Sequence, residues 1–134
     1  MRTLRRGDGD VVFEQEDVGQ IRRVESGDVT VEFGQVDQAI DPTPLFRGLP
    51  GDMCQCRHQG YVVSGRITFT TKDGLFDVVA GEAFDVSPGH IPLPQAGCEW
   101  VQFTATADQR KTDEAIRRNM AAAAGTSTGD PAEG

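Results

Sequence analysis

Cysteine is scarce in this chain: Cys54, Cys56 and Cys98 are the only three among 134 residues. A number this small and odd excludes a disulfide framework, and free thiols suit a reducing compartment. Bases are also in short supply, 13 against 21 acidic residues for a net charge of -8, and between Gly7 and Ala107 only 6 bases stand against 16 acids. A surface of that sign repels phosphate backbones, which excludes nucleic acid as a partner. No apolar run approaches the roughly 18 residues of a membrane helix, so no membrane partner is expected. The basic start, Met1 to Arg6, runs into Gly7, Asp8 and Asp10 rather than an apolar stretch. No secretory signal is read there, and a cytoplasmic location is expected. There is no internal repeat, no Gly-rich phosphate loop and no serine in a nucleophile elbow. Gly7-Asp8-Gly9-Asp10 has the look of half a calcium loop but lacks the glutamate that completes one.

What remains is the size of one domain, patterned as short strands. Val29-Thr30-Val31-Glu32-Phe33 alternates apolar and polar residues after the turn chemistry of Ser26-Gly27-Asp28. Arg66-Ile67-Thr68-Phe69-Thr70, a turn at Lys72-Asp73-Gly74 and Leu75-Phe76-Asp77-Val78-Val79 read as a hairpin. Tyr61-Val62-Val63, Ala83-Phe84-Asp85-Val86 and Trp100-Val101-Gln102-Phe103 are further strands. Gly and Pro between strands at a spacing of about 8–12 residues point to an antiparallel sandwich or barrel. At least seven strands are expected between Val11 and Phe103. One helix follows: Thr106 with Gln109 forms a capping-box pattern, Ile116, Met120 and Ala123 or Ala124 share a face, and Gly125 is placed to stop it. Arg110, Lys111, Arg117 and Arg118 are interleaved with acids as a solvated face. The Gly-, Ser-, Thr- and acid-rich residues 126–134 read as a disordered tail.

The densest cluster of metal-ligating side chains is Asp52-Met53-Cys54-Gln55-Cys56-Arg57-His58. In an extended strand, residues 52, 54, 56 and 58 share a face, so a carboxylate, two thiols and an imidazole line up inside the barrel. Four such groups are poor core material unless something pairs with them. His90, the only other histidine, follows the Pro88-Gly89 turn and is placed to reach the same interior. A Cys54–Cys56 disulfide is disfavoured, since two residues along a strand span about 6.6 Å. Cys98 reads as buried packing. Tyr61, Phe69, Phe84, Trp100 and Phe103 read as core or pocket wall, and Gln102 as an inward polar contact.

Tyr61-Val62-Val63-Ser64-Gly65, with Gly81 through His90 some sixteen residues later, resembles the paired motifs of a cupin. Thr43 through Pro50 running into Cys54 through Tyr61 is similar to small single-domain bacterial cupins of the type-2 conserved barrel family. The resemblance spans about residues 27 to 104. It implies an all-β fold, a double-stranded β-helix or jelly-roll barrel, often dimeric and often holding a divalent metal. The chain then divides into an N-terminal strand or arm at 1–26, a barrel at 27–104, a C-terminal helix at 105–125 and the tail. The usual metal-binding pattern maps its first-motif ligands onto Asp52, Cys54 and His58, and its second-motif histidine onto Pro92, with His90 two residues earlier on the same strand parity.

Thiolate with imidazole favours Zn²⁺ over Fe²⁺, whose oxygenase sites use two histidines and a carboxylate. The expected centre is Cys54, Cys56, His58 and His90, with Asp52, Tyr61 and Gln102 lining a small-molecule pocket. The expected function is metal binding, with metal-dependent chemistry on a small organic substrate or, alternatively, a metal-free ligand-binding or sensing module. A homodimer is expected, since a barrel of this size leaves an open sheet edge or face to cover.

Overall fold

In a computed structural model, which describes residues 1–127 and side chains through residue 123, nine strands run antiparallel in two sheets. They are β1 (Asp10–Gln15), β2 (Gly19–Ser26), β3 (Val29–Val36), β4 (His58–Ser64), β5 (Arg66–Thr71), β6 (Gly74–Val79), β7 (Ala83–Val86), β8 (His90–Pro94) and β9 (Glu99–Ala105). The six-stranded sheet has the order β1-β2-β3-β9-β4-β7, and the three-stranded sheet the order β6-β5-β8. One helix, α1 (Thr106–Ser127), follows directly on β9. No described helix is long and apolar enough to cross a membrane.

Alternation decides which side chains meet between the sheets. From β3, Thr30, Glu32, Gly34 and Val36 turn inward, and from β9 Trp100, Gln102 and Thr104 do the same across the β3–β9 ladder. The main core joins Val36, Val62, Ile67, Phe69, Val78, Phe84, Val86, Cys98 and Trp100, so Cys98 is packing. Trp100 lies directly on Gly34, where a Cβ would stand 2.1 Å from the indole. Only glycine fits there, and the flat approach lets the Trp100 Nε1–H reach Glu32 Oε2 at 2.8 Å. Glu32 also accepts from Arg23 of β2 at 2.9 Å, and Arg23 reaches Asp113 of α1 at 2.7 Å. A buried charge needs such partners.

Several expectations change here. Within the stretch read as an N-terminal strand or arm, β1 and β2 extend the main sheet, with eight paired positions between β2 and β3. Residues 52 to 57 do not form a strand: Pro50–Asp52 is a 3₁₀ turn, with Gly51 and Asp52 both at positive φ (65° and 57°). That reversal uncouples Asp52 from the parity of the residues after it. The Thr106 hydroxyl meets the Thr30 hydroxyl of β3 at 2.9 Å, and the Gln109 amide donates forward along the helix to Asp113, so the expected capping-box pair is spent on other partners. The docked face of α1 is Gln109, Thr112, Ala115 and the partly buried Ile116, while Met120 is exposed. The helix continues past Gly125 to Ser127, and the rest of the expected tail lies outside the described residues.

Candidate metal centre

Although residues 53 to 57 leave the sheet, they stay extended, and burial alternates along them: Cys54, Cys56 and His58 are buried and Arg57 is exposed. Cys54 is tied down by a single antiparallel bridge to β8, its N–H donating to the His90 carbonyl at 2.8 Å and its carbonyl accepting the Gly89 N–H at 2.8 Å. The sulfurs of Cys54 and Cys56 and a ring nitrogen of His58 lie within 4.8 Å of one another. Cys54 Sγ stands 3.6 Å from His58 Nε2. The far ring nitrogen, Nδ1, sits 2.6 Å from the Thr104 hydroxyl, and Cys56 Sγ lies 3.2 Å from the Thr112 hydroxyl.

His90 enters from the other sheet, its ring edge-on to that of His58 with centroids 5.1 Å apart. Its Nδ1–H donates to the Ser87 carbonyl at 2.7 Å, which leaves the lone pair on Nε2. That nitrogen is buried and, among the described residues, has no hydrogen-bond partner. Leaving a buried acceptor unmade costs about 1–3 kcal/mol.

Burial keeps the two histidines from carrying charge. Burial, with His90 and the Arg23 charge nearby, pushes His58 down to about 3, and burial lowers His90 as well. The influence of each thiol on the other pushes Cys54 up and Cys56 down, with burial reinforcing the rise at Cys54 and opposing the fall at Cys56. Both imidazoles are therefore neutral, the form that coordinates a cation, and the thiol pair gives up its first proton from Cys56.

Cys54, Cys56 and His58 suit a borderline cation, while His90 lies outside the group whose ligand atoms are all within 4.8 Å of one another. Two ligands on one tetrahedral Zn²⁺, at bond lengths of ~2.3 Å to sulfur and ~2.0 Å to nitrogen, stand about 3.3–3.8 Å apart, and the Cys54 to His58 separation of 3.6 Å falls in that range. Thr104, behind His58, is the kind of outer partner that fixes a metal-binding tautomer.

Of the residues expected to line a pocket, Gln102 faces inward opposite Gly60 and Glu32. Asp52 does not join it, being exposed with its carboxylate on the Gly48 N–H at 3.0 Å. Tyr61 alternates outward from His58 and is 44% exposed on the sheet's outer face. Two surface clefts, of about 470 and 440 Å³, are lined by Glu14 to Asp37 at the β1–β2 end and by residues around Arg23 and Asp113, and neither reaches the cysteines. Sequence reasoning missed Thr104 and Thr112. Thr104 was available from its parity with Gln102, whereas Thr112 reads as one polar residue among many on a helix.

No protein-family model matches the chain, and no curated protein matches it. Solved structures do. An RmlC-like cupin from Shewanella frigidimarina is 11% identical over 74% of this chain and 85% of its own, with a TM-score of 0.51. A cupin-2 domain from Rhodospirillum rubrum is 10% identical over 78% and 74%, with a TM-score of 0.52. The polyketide cyclase RemF from Streptomyces resistomycificus is 15% identical over 78% and 79%, with a TM-score of 0.53. At these identities what is shared is the backbone path, and by that path, two antiparallel sheets closed on one interior and followed by a single helix, this chain has the fold of a small cupin.

Proposed function

We propose that the protein is a metal-binding cupin-fold module whose interior centre takes one divalent cation, Zn²⁺ ahead of Fe²⁺, through Cys54, Cys56, His58 and His90. The observation that carries this reading is the meeting of three donors within 4.8 Å, one of them the His58 ring 5.1 Å from that of His90, whose buried Nε2 has no hydrogen-bond partner among the described residues. A cation satisfies that nitrogen and holds the thiols as thiolates. When bound, it supplies Lewis acidity to the interior. The protein's own part is to keep both imidazoles neutral, to fix His90 through Ser87 and His58 through Thr104, and to exclude water by burying all four side chains.

Four protein donors make a closed centre, the arrangement of structural rather than catalytic zinc. The test is elemental analysis of protein purified without a metal-affinity tag, followed by cobalt replacement. One metal per chain with thiolate-to-cobalt absorption is expected, and no metal after growth in zinc-replete medium would sink the reading in favour of a metal-free module. Cobalt absorption that shifts on adding azide would mark an open coordination position, and with it metal-dependent chemistry on a small organic substrate beside Gln102.

The partner is a second copy of the chain. Tyr61, Val63 and Phe103 stand 44%, 50% and 46% exposed on the outer face of the main sheet. Covering such a face by two-fold pairing is what supports a homodimer. Three free, buried thiols support a reducing, cytoplasmic setting.

A further inference from the structure

The metal centre meets the C-terminal helix in a small apolar cluster, where Ile116 packs with Cys54 and Cys56, and in one polar contact, at Cys56. Helix α1 is poorly equipped to dock by apolar burial, since on its inner face only Ala115 (2% exposed) and the partly buried Ile116 are apolar. Ile116 joins a small satellite core of Phe46, Cys54, Cys56 and Ile91, separate from the main one. The other attachments are polar: Thr106 to Thr30, Arg110 to Glu25, Asp113 to Arg23, and Asn119 to the Leu45 and Arg47 carbonyls. Between these anchors sits Thr112, 3% exposed, its hydroxyl 3.2 Å from Cys56 Sγ. Threonine is a weak helix former, and a mid-helix hydroxyl ordinarily bonds back to its own helix's preceding turn. Here it leaves the helix to meet a sulfur.

We propose, building on the metal centre assigned above, that Thr112 is a positioning residue for it, and that cation binding and the docking of helix α1 are coupled through the Thr112–Cys56 contact. A coordinated Cys56 is a thiolate and can only accept, so the Thr112 hydroxyl donates to it in a charge-assisted bond that a neutral thiol does not match. The hydroxyl thereby orients one metal ligand, and the ligand holds the middle of the helix. By reciprocity, a helix held by the cation holds the cation in return. The cation would then join the main sheet through His58, the smaller sheet through His90 and the helix through Cys56.

Two measurements on the full chain test this. Zinc affinity, read by competition with a chromophoric chelator, should fall about tenfold or more in Thr112→Val, as is usual for loss of an outer partner, and should be restored in Thr112→Ser, which keeps the hydroxyl. Hydrogen exchange of the wild-type protein needs no variant: amides from Gln109 to Asn119 should exchange more slowly with zinc bound than after chelation, while those of β2 and β3 change less. Equal zinc affinity in Thr112→Val and wild type, or helix exchange indifferent to zinc, overturns the coupling and leaves the metal centre standing. A wild-type protein that takes up no zinc overturns both.

Discussion

Cys54 and His90 face each other across one isolated backbone bridge, far apart in sequence and paired nowhere else along the segment. The bridge is what brings a cysteine of the 53–57 connection, and the two donors that follow it at alternate positions, against the histidine that opens β8. The Cys54 N–H donates to the His90 carbonyl at 2.8 Å, and the Cys54 carbonyl accepts from Gly89 at 2.8 Å and from His90 at 3.3 Å, so backbone bonds alone hold this placement.

Metal content should depend on the ligands and not on the cysteine outside the centre. His58→Ala or Cys54→Ser should reduce bound zinc from near one per chain to below about a tenth, because removing one of four donors forfeits much of a structural site's affinity. Cys98→Ser, in the main core, should leave zinc content unchanged. Elemental analysis of the three variants decides it, and a His58→Ala protein that keeps its metal would exclude His58 as a ligand.

Acid should weaken the chelator-treated protein before its carboxylates titrate. His58 is held down to about 3 and His90 is also lowered, so the unfolded chain binds protons near pH 6.5 that the folded chain refuses. Their contribution is present above about pH 6.5 and is lost as pH falls toward the folded values. Between about pH 7.5 and about pH 5, His58 alone should remove about 2 kcal/mol of stability. Urea midpoints across that range measure it, and His58→Gln should flatten the slope.

The buried ion pair and a surface pair should behave differently. Arg23→Met leaves Glu32 buried and stripped of its cation, with only the Trp100 N–H remaining, at a cost of about 3–5 kcal/mol. It also frees Asp113, so helix α1 should lose exchange protection. Arg57 pairs with Asp85 at 2.6 Å in full view of solvent, and Arg57→Ala should leave the urea midpoint where it was.

Light scattering should give twice the 14.5 kDa chain mass, and Phe103→Glu should return the protein to monomer by placing a charge at the centre of the outer face. A wild-type mass of one chain at tens of micromolar would rule out the homodimer, since a specific pair of this kind is dimeric at about that concentration.

Much of the architecture is legible in the chain itself, because strand formation is a local matter of alternation and turn chemistry. Val29–Phe33, the β5–β6 hairpin and the C-terminal helix each announce themselves within about ten residues. The parity of Cys54, Cys56 and His58 is equally local, and it survives even though the segment is not a strand, because an extended chain alternates whether or not it is paired. Asp52 drops out because two residues of positive φ reset that parity, and positive φ at a non-glycine residue leaves little mark in sequence. What only tertiary structure decides is which face of each strand is inside and who stands across from whom. Tyr61 and His58, three positions apart on β4, must lie on opposite faces, but that the His58 face is the inner one is decided by the sheet packed against it. Thr104 and Thr112 acquire their roles solely from Thr104's place opposite His58 on β9 and the angle at which the helix leaves that strand. A hydroxyl has no direction until the fold supplies its neighbour.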